Sequence, residues 1–282
     1  MTVLPACWVD GERVDPASAQ IYVTDRGFTL ADGIFETMRS YNGAIFRYDD
    51  HMARLSRGAE RLGLPRPANL LPTLQHALRD LRSIRADAVI RLTVTRGTGR
   101  HGLMPTRGET PTVVLFAQEV AVFKTSISVR TASGRRNEFA MSAGVKTLSY
   151  TDGVLALLEA SANGAEDAIF LDTEGHVSEA TASNVFLVKN GVVRTPPVSC
   201  GAFPGITRSV VLELLEGMRV ALSDDPVSPA ELAQADEVFL TSSVREIAPV
   251  DTVDGRGLKV PGPITTAVMG AYAAAVQIER ES

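Results

Sequence analysis

Asn-Gly and Asp-Gly pairs set between short apolar runs constrain this chain more than any other feature. Asp10-Gly11, Asn42-Gly43, Asn190-Gly191 and Asp254-Gly255 stand in that position. Such pairs accept positive φ at both central residues of a two-residue turn, and the twist of that turn matches the strands on either side. Each therefore folds the chain back and sets neighbouring strands antiparallel. Residues 7–15 read as the first hairpin. Residues 35–41 alternate into Asn42-Gly43, and Ala44-Ile45-Phe46 returns. Residues 184–188 and 192–195 flank Asn190-Gly191, and Glu174-Gly175 turns 168–172 back into 177–181.

Helical spacing appears between these hairpins. Met52, Leu55, Ala59 and Leu62 follow an Asp49-Asp50 cap and precede Gly63; Leu70, Leu71, Leu74, Leu78 and Leu81 mark a second helix. Residues 152–163 predict a helix with Val154, Leu155, Leu157, Leu158 and Ala162 inside; 209–215, 228–233 and the alanine-rich 262–279 predict three more. Strands are expected at 88–95, 111–117, 126–131 and 237–240. The pattern restarts around Gln118. It predicts a smaller N-terminal α/β domain over 1–117, a linker at 118–122 and a larger C-terminal domain over 123–282.

Composition excludes several classes. A net charge of -5 gives no electrostatic footprint for nucleic acid. No apolar run reaches the roughly 18 residues of a membrane span, and the N-terminus lacks the basic and apolar segments of a signal peptide. Cys7 and Cys200 are too few for a disulfide framework, and His51, His76, His101 and His176 show no metal-ligand spacing. The expectation is a cytoplasmic protein without a metal.

The chemistry centres on Lys146. The chain holds four lysines; Lys124, Lys189 and Lys259 read as solvated side chains. Lys146 sits among small and apolar residues ahead of a long apolar helix. An amine buried there loses hydration of its charge, and the neutral amine is a nucleophile toward carbonyls. The alternative is a packed stem with its head in water. Pro204-Gly205-Ile206-Thr207-Arg208 opens a helix whose first N–H groups and Thr207 hydroxyl face an anion, and Thr241-Ser242-Ser243 offers three hydroxyls at a strand end; capping alone is the alternative for either. Arg54 lies beside the apolar stripe of its helix, aimed at the interior edge. Glu36 reads as an exposed strand residue. Residues 96–105 form a glycine-rich basic loop, functional or a plain connection.

In this order the pieces resemble the class IV aminotransferases, the fold-type-IV enzymes of pyridoxal 5′-phosphate (PLP). The resemblance runs from Asp25-Arg26-Gly27 to Ala248-Pro249-Val250. It rests on Asp32-Gly33-Ile34-Phe35-Glu36-Thr37, Val145-Lys146-Thr147-Leu148, Val177-Ser178-Glu179-Ala180 through Asn184-Val185-Phe186, and Pro204-Gly205-Ile206-Thr207-Arg208. It implies an α/β fold of the α+β type, in two domains with the cofactor cleft between them, and a homodimer. Lys146 looks like the lysine that holds PLP through a Schiff base and moves the substrate Cα proton. Glu179 looks like the carboxylate beside the pyridine nitrogen, where its charge keeps the ring an electron sink. Arg54 looks like the phosphate arginine, with Ile206, Thr207, Ser243 and Ser242 completing the cup. One helix terminus contributes only about 0.3–2 kcal/mol, so several donors are needed. Phe203 would pack against a ring face. Tyr150 would reach the cofactor phenolate, or else pack in the core.

Within the family the resemblance is greatest to the D-amino-acid aminotransferases, in Asp25-Arg26-Gly27-Phe28 and in the segment after Lys146. It implies ping-pong transfer of an amino group from an amino acid, foremost a D-amino acid, to a 2-oxo acid. Phe35 stands where a tyrosine often helps bind the substrate carboxylate. Arg100, with His101, is expected to pair with that carboxylate from the neighbouring subunit, with Arg26 as the alternative anchor. The altered pocket leaves room for primary (R)-amines. Competing readings are an aminodeoxychorismate lyase, a branched-chain L-amino-acid aminotransferase and a non-catalytic phosphate-binding member. Branched-chain enzymes usually carry a Tyr-Ile-Arg-Pro segment, and Val89-Ile90-Arg91-Leu92-Thr93 stands in its place here.

Overall fold

The computed structural model describes residues 4–65, 70–85, 87–100, 102–106 and 108–281. They divide into two compact units. The first takes in the chain up to Ala121 together with Val145–Ser149 and the C-terminal end from Ile278; the second takes in Val122–Gly144 and Tyr150–Gln277.

In the first unit β1 (Ala6–Val9), β2 (Glu12–Val14), α1 (Arg26–Leu30), β3 (Gly33–Tyr41), β4 (Ala44–Ile45), α2 (Tyr48–Leu62), α3 (Leu70–Ile84), β5 (Ala88–Thr95) and β6 (Val113–Glu119) follow one another. The strands form one antiparallel sheet in the order β2-β1-β6-β5-β3-β4. Its hairpins form as the turn chemistry predicts: Asn42 and Gly43 have φ of 51° and 83°, and Asp10 and Gly11 of 49° and 95°. Register sorts the side chains into two faces. Ile34 opposite Val94, Met38 opposite Ile90 and Leu92 opposite Leu115 share one face, in one apolar cluster with Leu55 of α2 and Leu74, Ala77 and Leu81 of α3. Burying each such side chain contributes about 1.5–3 kcal/mol. Phe35, Thr37, Thr93 and Arg91 point to the other face.

Two expectations need correction here. Glu36 is not an exposed edge residue: opposite Leu92 and between Ile34 and Met38, it belongs to the core face and is 1% exposed. Lys146 does not group with the second domain expected over 123–282. β4 pairs only with Ser40 and Tyr41, so the start of β3 keeps a bare edge. Residues 145–149 fill it: the Phe35 N–H donates to the Lys146 carbonyl at 3.0 Å, the Leu148 N–H to the Gly33 carbonyl at 3.1 Å, and Thr147 bridges Ile34. The expected linker at 118–122 starts too early for the same kind of reason, since β6 continues to Glu119 and the division falls after Ala121.

The second unit contains β7 (Ile127–Arg135), α4 (Thr151–Ala162), β8 (Asp167–Leu171), β9 (Val177–Ala180), β10 (Asn184–Lys189), β11 (Val192–Arg194), α5 (Ile206–Gly217), β12 (Leu222–Ser223), α6 (Pro229–Ala233), β13 (Glu237–Ser242), β14 (Glu246–Val253), β15 (Arg256–Gly257) and α7 (Pro263–Glu281), whose last residues group with the first unit. The sheet runs β12-β11-β10-β13-β14-β7-β8-β9, with β15 on β14. Parallel steps occur at β11/β12, β14/β7 and β7/β8. Phe186 and Phe239 face each other across β10 and β13 with ring centroids 4.9 Å apart. α4 reverses the expected amphipathicity. Gly153, Ala156 and Ala160 are its buried residues, and the two alanines pack with Ala132, Ala168 and Phe170. Small residues let the helix lie close on the sheet, so Val154, Leu155, Leu157 and Leu158 stay exposed, Leu158 at 61%. Among the described residues no helix is long and apolar enough to cross a membrane.

Candidate active site

In the first unit the Lys146 amine stands on the face opposite the core. Lys146 is half-buried, and its Nζ lies 4.5 Å from the centroid of the Phe35 ring. The Arg91 guanidinium carbon lies 3.7 Å from the same centroid. Phe35 therefore offers no hydroxyl, and instead is an apolar plate beside two cations. Sequence reading missed Arg91 as a site residue. The alternation of β5 places it on a definite face, but only the pairing of Thr37 with Arg91 and of Phe35 with Thr93 shows that this is the face of Phe35.

Beneath, on the core face, Glu36 is enclosed by partners from α2. Its two oxygens accept from Arg54 Nε at 2.8 Å and Nη2 at 2.7 Å, and Oε2 also meets His51 Nδ1 at 2.8 Å. Arg54 does point inward, as its place on the helix predicts. Burial pushes the Glu36 carboxyl up, but the bonds and charge of Arg54 and the His51 contact outweigh it and hold it below 4.5. Burial pushes His51 below 6.5 against the pull of Glu36, so at neutral pH it is a neutral imidazole whose Nδ1–H donates.

The sign of the pH effect follows. Unfolded, His51 takes up a proton near 6.5; folded, it resists until a lower pH. Its contribution is complete above 6.5 and is lost as pH falls below it; Glu36 adds a further loss below 4.5. Wild-type protein is thus expected to lose urea resistance from about pH 7 to about pH 5, and His51→Gln to flatten that slope. Equal slopes for the two proteins would remove His51 as the cause.

Arg26, the alternative carboxylate anchor, is engaged by the protein itself. It is 3% exposed, and each of its nitrogens is engaged: Nε with Asp32 Oδ2 at 2.9 Å, Nη1 with the Gly102 carbonyl at 2.9 Å and Nη2 with the Leu103 carbonyl at 2.8 Å. Arg96 shares Asp32 and bonds the Leu62 and Gly63 carbonyls at the end of α2. Burial raises the Asp32 carboxyl, and the two arginines more than offset this and lower it. Arg26 fastens the glycine-rich loop. Arg100 is exposed on that loop; His101 lies outside the described residues.

In the second unit Glu179 on β9 is buried and held at both oxygens. Oε1 pairs with Arg136 Nη2 at 3.0 Å, and Oε2 accepts the Phe203 N–H at 2.8 Å. Sequence reading missed Arg136; no local pattern marks it, because β7 reaches β9 only through β8. Phe203 is half-buried and its carbonyl accepts from Asn184 Nδ2 at 2.7 Å. Asn184 also explains Gly205: a Cβ there would lie 2.0 Å from Asn184 Oδ1. Gly205 is the N-cap of α5 and supplies no capping side chain, and Ile206 and Thr207 behind it are buried. Asn184 stands opposite Thr241, whose buried hydroxyl has no hydrogen-bond partner. Ser242 Oγ accepts the Arg245 N–H at 3.2 Å and closes the turn into β14, and Ser243 is half-buried on that turn. Tyr150, at 36% exposure, is not the packed core side chain of the alternative reading. An uncapped helix start, a buried hydroxyl without a partner and a fixed carboxylate fit a phosphate and a protonated ring nitrogen.

Burial pushes Cys7 up, and burial with Asp172 pushes Cys200 up to about 11, so without a metal both stand as thiols at neutral pH.

The family profile described as "Amino-transferase class IV" matches residues 33–253. The chain is 37% identical over 265 residues to a Methanocaldococcus jannaschii protein named putative branched-chain-amino-acid aminotransferase, covering 92% of each. It is 32% identical over 270 residues to a D-alanine aminotransferase of Bacillus licheniformis, covering 93% of this chain and 94% of that one. The structure superposes on the T.th. branched-chain amino acid aminotransferase complexed with N-(5′-phosphopyridoxyl)-L-glutamate with a TM-score of 0.87 and 28% identity, covering 98% of this chain and 95% of that one.

Proposed function

From the premise that this chain belongs to the class IV aminotransferase family, we propose that it moves an amino group from an apolar amino acid, foremost a branched-chain L-amino acid, to a 2-oxo acid. Its cofactor is pyridoxal 5′-phosphate. The observation that carries the reading is Lys146, a half-buried amine beside the Phe35 ring. Bound, the cofactor supplies a carbonyl that condenses with amines and a ring that accepts an electron pair from the substrate carbon. Lys146 is the residue that would hold it, and its amine would take and return the substrate Cα proton as a general base and acid. Glu179, held by Arg136 and the Phe203 N–H, keeps a fixed negative charge for the ring nitrogen. Arg54, oriented by Glu36, and the Ile206 and Thr207 helix start with Ser242 and Ser243 are assigned to the phosphate. Phe203 is assigned to a ring face, Tyr150 to the phenolate and Arg100 to the substrate carboxylate.

The donor is a matter of degree between relatives. The 37% likeness to the M. jannaschii protein and the apolar Phe35 plate favour a branched-chain L-amino acid. The D-amino-acid donor expected from Asp25-Arg26-Gly27-Phe28 is the second reading, favoured by the 32% likeness to the B. licheniformis enzyme. Cofactor-loaded protein, without acceptor, is mixed in turn with L-leucine, D-alanine, D-glutamate and (R)-1-phenylethylamine while the visible cofactor band is followed. Bleaching by L-leucine is expected. Bleaching by the D-amino acids alone would move the donor to the second reading, and bleaching by the amine would make the carboxylate contact dispensable. An unbleached band with every donor would overturn transamination and call for an aminodeoxychorismate assay.

The proposal includes a homodimer. Val154, Leu155, Leu157 and Leu158 present one apolar face of α4, and monomeric proteins rarely leave such a patch uncovered. Leu155→Asp with Leu158→Asp is expected to halve the mass in sedimentation equilibrium; an unchanged mass would place the contact elsewhere.

A further inference from the structure

The hairpin from β8 to β9 and the helical turn Val198–Cys200 gather three side chains that the transamination chemistry does not use. Asp172, His176 and Cys200 have ligand atoms that all lie within 4.8 Å of one another. We propose that they form a site for a zinc-class divalent cation, with three protein ligands and a fourth position open to solvent.

One pair of these ligand atoms already has the spacing of a bound ion. Asp172 Oδ2 and His176 Nδ1 are 3.3 Å apart. Two ligands at about 2.0–2.1 Å from a tetrahedral ion lie about 3.3 Å from each other. Asp172 is oriented beforehand: its Oδ1 accepts the Glu174 N–H at 3.0 Å and the His176 N–H at 2.7 Å, which leaves Oδ2 to the cluster. Asp172 and Cys200 are buried, while His176 is about one-third exposed and gives the ion a path in.

The surroundings favour a cation. Glu174 Oε2 is 3.8 Å from His176 Nδ1, and Glu138 is anchored to the Thr173 N–H and hydroxyl on the same hairpin. A second observation is independent of the three ligands. The Ser178 hydroxyl is fully buried without a hydrogen-bond partner, and it lies 3.4 Å from where a Cβ on Gly201, next to Cys200, would stand. A thiolate, an imidazole and one carboxylate select zinc or cobalt over magnesium or calcium. As the S–metal bond forms, the Cys200 S–H bond breaks and its proton leaves to solvent. Without an ion, the same groups are hydrogen-bond partners that close the hairpin, and this is the alternative to be tested. The linear sequence hides the site because Cys200 arrives from a different turn.

The site adjoins the cofactor carboxylate through the chain. Cys200 precedes Phe203, whose N–H holds Glu179. Binding is nonetheless measured without catalysis, so the inference stands or falls apart from the proposed function. Cofactor-loaded protein, stripped with chelator, is titrated with zinc chloride in a calorimeter and with cobalt(II) in the visible spectrum. One ion per chain is expected, with the intense cobalt bands of tetrahedral coordination including a thiolate. Cys200→Ser is expected to abolish the thiolate feature and weaken zinc at least tenfold. His176→Gln, at a partly exposed position, is expected to weaken it similarly, and Cys7→Ser to change nothing. No saturable binding, or one-to-one binding unaltered in both Cys200→Ser and His176→Gln, would overturn the site.

Discussion

Lys146→Ala is expected to abolish transamination while leaving the protein folded. The two effects separate because the residue's backbone and side chain do different work. The backbone carbonyl accepts the Phe35 N–H and the neighbouring residues complete the edge of β3; alanine keeps all of this. The side chain contributes to the fold a contact with the Phe35 ring, worth about 0.5–1 kcal/mol at an exposed site. In the proposed reaction it is the amine that moves the Cα proton, a role worth about 10²–10⁴-fold alone. The check is kcat with the best donor, paired with thermal unfolding and the cofactor spectrum. Small primary amines added to Lys146→Ala should restore part of the proton transfer. Retained wild-type turnover would remove Lys146 from the site, and with it the reading built on it.

Glu36→Ala is expected to be the most destabilising single change in the first unit. Glu36 neutralises Arg54 where both are largely shielded from water, with side-chain exposures of 1% and 9%. Deleting one member of a buried pair leaves an uncompensated charge and a cavity, a loss of about 3–5 kcal/mol. Domain stabilities of about 5–15 kcal/mol make that a large fraction. Glu36→Gln keeps acceptors for Arg54 and loses only the charge, so it should fall between. Adding Arg54→Met to Glu36→Ala should recover stability, because it removes the stranded charge. The chain has one tryptophan, Trp8, which lies in the core of the first unit; its fluorescence during urea unfolding reports this unit directly. A Glu36→Ala midpoint equal to wild type would mean that the Glu36–Arg54 pair is held by nothing more than it replaces in water.

The elements were legible wherever local chemistry decides them. Asn190-Gly191 closes β10 onto β11 with φ of 51° and 77°, and Gly63 ends α2 in the left-handed region. α1 was not legible: it is a single turn capped by Asp25, too short for any period to show. α4 was legible as a helix and misread as to its faces, because the count of leucines says nothing about which side meets the sheet. Gly153, Ala156 and Ala160 won that side by allowing close approach.

Lys146 and the helix start at Gly205 were singled out by residue type in motifs a few residues long, and Glu179 by the family resemblance. Which partners complete them was decided by pairing across strands. Only the register of β3 on β5 turns Glu36 inward against Arg54 and sets Arg91 beside Phe35. Only the path from β7 over β8 to β9 brings Arg136 to Glu179. The bare edge of β3 claims Lys146 for the first unit, although its sequence neighbours on both sides belong to the second. Turns, caps and periodicity are energies of adjacent residues and are written locally. Charge pairing, burial and the facing of a side chain depend on residues far apart in the chain, and these were decided only when the sheets closed.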